Sequence, residues 1–301
     1  MTDPVIDVRD LSRRFGATRA LDRVTLAVPH GGVFGLVGPN GSGKTTLIKH
    51  VLGLLRAHAG SVRVFGRDPV RDPAGVLARV GCLTEDNDLP GWMRVDELMR
   101  YTRAFYPSWS DDYAEALRRT FALDPAARVG ELSKGQKARA GLLVALAYRP
   151  ELLVLDEPSS GLDPLARRDI LAAVVRTVAD DGRTVVFSSH LLDEVERVAD
   201  HVAMLHRGRV VFDGPLDEVR ATHRRVTVQF PDPRPRPPAL VGALAWEGAG
   251  REWTAVCAGP PAGVRAAAEA AGGRVVEEHA VRLDEIFVAR AGATAAAAVE
   301  D

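Results

Sequence analysis

Cysteine is scarce: Cys82 and Cys257 are the only two in 301 residues. They stand far apart with no metal-ligand spacing, which argues against a thiolate metal centre and reads as two free thiols of a reducing compartment. Long apolar runs are missing as well. The longest, around Leu142 to Tyr148, falls far below the ~20 residues that a membrane-spanning helix needs. Neither sign of charge dominates: Lys and Arg number 39 against 40 Asp and Glu, a formal charge of −1. No global attraction to nucleic acid or anionic lipid is therefore expected. The opening Met1-Thr2-Asp3-Pro4 is acidic and short of apolar residues, unlike a signal peptide. Together these absences predict a cytoplasmic protein with no nucleic-acid partner. It would act on a membrane only through another chain.

What the chain does hold is core-forming material: 46% of it is hydrophobic, enough for one large domain and a small one. Short strands are expected at Val5 to Val8, Val24 to Val28, Val33 to Val37 and Ser61 to Gly66. From about Pro90 to Tyr148 the pattern turns helical, over 95–105, 111–121 and 136–148. Leu152 to Leu155 and Thr184 to Phe187 are unbroken apolar runs separated by helix, the mark of parallel strands buried on both faces. Val202 to Leu205 and Val210 to Phe212 read as a hairpin through Arg207-Gly208. The large domain is expected to span 1–223. Pro231 to Pro238 reads as a polyproline-type loop or spacer that cannot continue a helix or a central strand. A small α/β appendage is expected over 224–290, with strands near Trp253 to Val256 and Arg274 to Glu277 around a helix at Val264 to Ala271. The Ala-rich 291–301 reads as a frayed tail.

Chemistry concentrates in a few short runs. Gly38-Pro39-Asn40-Gly41-Ser42-Gly43-Lys44-Thr45 fits the phosphate-binding pattern G-x-x-x-x-G-K-[ST], with a strand before it and a helix opening at Thr46-Leu47-Ile48. Its glycines let backbone N–H groups face a polyphosphate, and the helix points its positive end at the same anion. Lys44 is placed for the β- and γ-phosphates and Thr45 for a magnesium ion. Leu152 to Leu155 ends in Asp156-Glu157, which sets Asp156 for the metal and Glu157 for the attacking water. A solvated acidic pair is the plainer alternative. Between them, Ser133 and Gln136 have capping-box spacing at a helix start that also suits an anion.

Taken in order, these elements resemble the nucleotide-binding subunit of ATP-binding-cassette (ABC) transporters over about residues 5 to 222. The resemblance implies a P-loop α/β ATPase core with antiparallel β and helical subdomains, followed by the appendage. It implies that ATP is bound by Phe15, Gly38, Pro39, Asn40, Gly41, Ser42, Gly43, Lys44, Thr45 and Thr46, with Mg2+ on Thr45, Asp156 and Glu85. Phe15 stands where a stacking tyrosine is usual, though a core position would also suit it. Leu132, Ser133, Lys134, Gly135 and Gln136 match the signature that acts on the nucleotide of a second copy, and Ser160-Gly161-Leu162-Asp163 the D-loop. Asp163-Pro164 also reads as a local helix start, with Asp as N-cap. Glu157, Lys44 and His190 become the catalytic set, His190 being the switch histidine. Glu85 occupies the Q-loop position of a glutamine, a carboxylate where an amide is usual. Glutamate there, with Tyr101 to Leu117, resembles the exporters of drugs, antibiotics and peptides that use separately encoded permeases. The implied partners are a membrane permease and a second ATPase subunit, with the chain peripheral on the cytoplasmic face. Trp92 and Trp109 then read as packing or permease-contact residues. A soluble ABC ATPase without transport, or a regulatory ATP-binding module, is the alternative.

Overall fold

The computed structural model describes residues 3–85, 88–237 and 240–297. Alternation along the first strands builds an antiparallel layer. β1 (Ile6–Phe15) and β2 (Thr18–Val28) form a hairpin closed by Phe15 opposite Thr18. Along β2, Asp22, Val24, Leu26 and Val28 are buried while Arg23, Thr25 and Ala27 face out, as one buried face of a pleated strand requires. After β3 (Gly32–Val37) and α1 (Lys44–Val51), β4 (Ala59–Val64) returns to pair with β1.

The second layer is a sheet of mostly parallel, mostly apolar strands. α2 (Pro73–Leu77) leads to β5 (Val80–Leu83), and the chain then leaves the sheet for α3 (Val95–Arg103), α4 (Asp111–Thr120) and α5 (Lys134–Leu146). These helices end within two residues of the expected bounds. β6 (Leu152–Asp156), α6 (Pro164–Asp181), β7 (Thr184–Ser189), α7 (Leu192–Val198), β8 (His201–His206) and β9 (Arg209–Pro215) follow. The six-stranded order is β5-β6-β7-β3-β8-β9, in which β5, β6, β7, β3 and β8 run parallel. Every residue of β6 and β7 is buried, because one face of the sheet packs on α1 and the antiparallel layer and the other on helices that include α6 and α7. Its register decides the chemistry: Asp156 sits opposite Ser188, and Val37 opposite Ser189. Gly38, Glu157 and His190 therefore leave three neighbouring strands at one edge, where open α/β sheets place ligands.

The helical insertion is tied down by two tyrosines. Tyr148 is buried and donates from its hydroxyl to Val80 O at 2.8 Å, while Tyr106 stacks on its ring with centroids 3.6 Å apart. Burial pushes the Tyr148 phenol well above its ordinary range.

The chain divides into two compact units between Val210 and Val211, earlier than the expected end at residue 223. The boundary falls within β9, and α8 (Leu216–Ala221) packs on β10 (His223–Arg234) and so belongs with the second unit. There β11 (Ala243–Ala258), α9 (Pro261–Ala270), β12 (Arg274–Ala280) and α10 (Leu283–Ala297) complete an antiparallel sheet of order β11-β10-β12 with helices. Val228, Phe230, Trp253 and Val264 form its core. Two expectations fail here. β10 continues through Pro231 and Pro233 to Arg234, so the proline run is not simply a spacer. Its last pairing with β12 is Gln229 opposite Arg274, and a register shift precedes Arg234 opposite Gly250. The prolines thus occupy an irregular stretch paired on one side, which needs no N–H from them. The tail expected to fray from 291 is instead helical through Ala297, an alanine-rich segment with high helix propensity. Residues 298–301 of that tail lie outside the described residues, as does Pro238 of the proline run.

Candidate active site

The phosphate loop turns between β3 and α1 against the end of β8. A Cβ on Gly38 would lie 2.2 Å from Leu205 O, so only glycine lets the backbone pass there. α1 begins at Lys44 with Gly43 as N-cap and no side-chain cap, which leaves first-turn amides available to an anion. Lys44 is 5% exposed; its Nζ donates to Gly38 O at 2.7 Å and lies 3.0 Å from Glu157 Oε1. The Ser42 hydroxyl is buried without a hydrogen-bond partner among the described residues. Thr45 and Thr46 are half-buried behind it, while Asn40 and Gly41 are exposed.

Across the strand ends, Glu157 is 6% exposed and its Oε2 contacts His190 Nδ1 at 2.6 Å. The backbone N–H of His190 donates to the same oxygen at 3.3 Å. Glu157 itself holds a left-handed φ of 49°, a conformation that costs a non-glycine residue about 1–2 kcal/mol. Ser188 holds it there. Its hydroxyl accepts from Glu157 N at 3.0 Å and donates to Asp156 Oδ1 at 2.6 Å. Sequence reasoning passed over Ser188. Its signal was the register: a strand ending Ser-Ser-His beside one ending Asp-Glu.

Lys44, Asp156, Glu157 and His190 thus meet at one edge. A polyphosphate fits this set, with an uncapped helix start, a buried ammonium and an orphan hydroxyl converging. A divalent cation fits it too. Among the described residues no group of three or more His, Cys, Asp or Glu encloses a metal. The hydroxyl of Thr45 and the carboxylate of Asp156 suit a hard cation that takes its remaining ligands from phosphate and water.

Phe15 is not a core residue: it is 47% exposed at the hairpin tip, with the Arg13 guanidinium 4.8 Å from its ring centre. The signature run caps α5. Gln136 N donates to Ser133 Oγ at 3.2 Å and Ser133 N to Gln136 Oε1 at 2.9 Å. Asp163 caps α6, accepting from Leu165 N and Ala166 N at 2.9 Å and 3.0 Å. The Ala166 bond foremost holds its carboxyl below the usual range. Leu132 is buried in this region, and the Lys134 ammonium lies against Gly161 of the D-loop. Glu85, Lys134, Lys137 and Glu157 line one small cavity, which brings two carboxylates to one wall.

α5 and α6 approach closely at Gly135, where a Cβ would fall 2.9 Å from Ala166 Cβ. Gly135→Val is expected to lower unfolding stability by about 1–3 kcal/mol through overpacking. Urea denaturation checks this, and an unchanged midpoint would show that the helices separate freely.

A sequence profile described as ABC transporter matches residues 21–160. The daunorubicin resistance ATP-binding protein of Streptomyces coeruleorubidus is 36% identical over 227 residues, 73% of this chain and 71% of its own length. The bacitracin transport ATP-binding protein of Bacillus licheniformis is 29% identical over 226 residues, 73% of each chain. Among solved structures, an ATP-binding subunit of an ABC transporter superposes with a TM-score of 0.66 at 31% identity, over 72% of this chain and 92% of its own.

Proposed function

This chain belongs to the ABC transporter family of ATP-binding proteins and is an ATP-hydrolysing transporter subunit; we propose a role for each residue of its site. One observation carries the reading: the Glu157 carboxylate is buried between Lys44 at 3.0 Å and His190 at 2.6 Å. Glu157 takes the proton of the attacking water as general base, and His190 keeps that carboxylate aimed. Lys44 faces the β- and γ-phosphates of ATP, whose charge it shares with the free amides at the start of α1. Phe15 offers an open ring face to the adenine. Thr45 and Asp156, together with Glu85, would hold a Mg2+ ion, which would supply charge neutralisation at the phosphates.

Two copies act together, with Leu132–Gln136 of one protomer facing the ATP of the other and Asp163 near the contact. The capped start of α5 presents the positive end of its dipole to that phosphate. Closure follows from tighter binding of ATP than ADP by the paired state. A regulatory module that never turns over is disfavoured, since Glu157 contacts both Lys44 and His190. Phosphate release from ATP by the purified chain, with Glu157→Gln as control, is the test.

The second partner is a membrane permease, which carries the chain to the cytoplasmic face. Among the described residues no helix is long and apolar enough to cross a membrane. Names such as bacitracin transport and daunorubicin resistance support export as the direction. Trp92, Tyr101 and Phe105 are 73%, 51% and 63% exposed on the segment that follows Glu85, and aromatic anchors of this kind dominate interfaces. Trp109 is half-buried with its indole N–H on Asp111 Oδ1 at 3.1 Å, so the anchor role passes from it to Phe105. Trp92→Ala with Phe105→Ala should cut co-sedimentation with permease-bearing membranes by roughly tenfold or more, with ATP affinity and melting temperature unchanged. Normal recruitment by this stable double variant would remove the surface from consideration.

A further inference from the structure

Glu194, on α7, is 1% exposed, and the constellation above makes no use of it. A carboxylate taken out of water is costly unless charge and hydrogen bonds compensate it, so its partners indicate its purpose. Ser159 Oγ donates to Glu194 Oε2 at 2.5 Å, and Ser189 Oγ reaches the same oxygen at 3.4 Å. Arg167 of α6 forms an ion pair with the other oxygen, Nε to Oε1 at 3.0 Å. Both serines are fully buried. Their positions in the chain matter most. Ser159 lies just beyond Glu157, and Ser189 immediately precedes His190, where its hydroxyl also accepts from Leu191 N at 3.0 Å.

We propose that Glu194 is a positioning residue for ATP hydrolysis: its carboxylate ties the segment after Glu157 to the segment before His190. The tie keeps the two side chains at their 2.6 Å contact, and Arg167 extends it to α6, the helix that Asp163 caps. Glu157 needs such support because its left-handed backbone stores strain that its surroundings must hold. This inference rests on the roles assigned above to Glu157 and His190.

Steady-state hydrolysis by Glu194→Gln, Ser159→Ala and the double variant tests it, with melting temperatures measured alongside. Glu194→Gln keeps the side-chain shape but removes the charge and one acceptor. Its kcat should fall about tenfold to a hundredfold, the scale of a small misplacement of reacting groups. KM for ATP should stay within about twofold, because the phosphate loop is untouched. Ser159→Ala should lower kcat in the same direction. The double variant should be no slower than Glu194→Gln alone, because Ser159 acts through Glu194. A merely structural role predicts KM and melting temperature moving with kcat, and losses that multiply. Either that pattern or full kcat in folded Glu194→Gln overturns the inference. Ser159→Ala removes a single oxygen, so its kcat and KM carry the test if Glu194→Gln fails to fold. Glu157→Gln run in parallel separates the failures. Its inactivity beside a fully active Glu194→Gln overturns this inference alone, whereas a fully active Glu157→Gln overturns the underlying reading and this one with it.

Discussion

Glu157→Gln is expected to bind ATP and to hydrolyse it at least ~100-fold more slowly, the usual scale for losing a general base. The amide preserves the shape of the side chain and one acceptor oxygen, so the phosphate loop should keep its course, although the Lys44 ammonium left without its partner lowers the melting temperature. What it loses is the charge that pairs with Lys44 at 3.0 Å and the basic oxygen held by His190 at 2.6 Å. Without hydrolysis the ATP-bound state accumulates, so the variant should dimerise at saturating ATP while wild type returns to monomer. Light scattering and phosphate release measure the two effects separately. A monomer at saturating ATP with hydrolysis lost would refute the shared site and keep the base. Undiminished turnover would remove Glu157 from the chemistry.

Lys44→Ala is the second large effect. A charge-assisted contact to phosphate is worth about 1.5–3 kcal/mol, so the Kd for ATP should rise by roughly ten- to a hundredfold. The structure adds a cost that the loop pattern does not announce. Lys44 and Glu157 are 5% and 6% exposed, and removing one partner of a buried pair leaves the other charge uncompensated, at about 3–5 kcal/mol. The variant should therefore melt earlier than wild type, and Lys44→Ala with Glu157→Gln should recover part of that loss. Isothermal titration and thermal melting read the two effects apart. Unchanged ATP affinity in the folded variant would show that the loop has been misread.

Much of this was legible along the chain. The apolar runs of β3, β6 and β7 announce buried parallel strands, and the helices α3, α4 and α5 fall close to where periodicity puts them. The phosphate loop and the Ser133 capping box are local devices whose spacing already contains their geometry. β10 was not legible: proline argues against a strand wherever its missing N–H is needed, and only the register shows that Pro231 and Pro233 need none. For Phe15 and Trp109 the sequence left two readings open, and the structure exposes the first and half-buries the second. An aromatic ring suits a surface and a core equally well until its neighbours are known.

By itself the sequence determined which chemical groups this protein brings to ATP and the strands and helices that end in them, since each motif spans fewer than ten or so residues and folds by local rules. Only the tertiary structure decided which groups meet. Ser188 bridges Asp156 and Glu157, and Glu194 joins Ser159 to Ser189 and Arg167, because parallel strands and the helices between them bring distant segments to one edge. A side chain's partner across a sheet depends on register, and register is a property of the packed sheet rather than of any one strand.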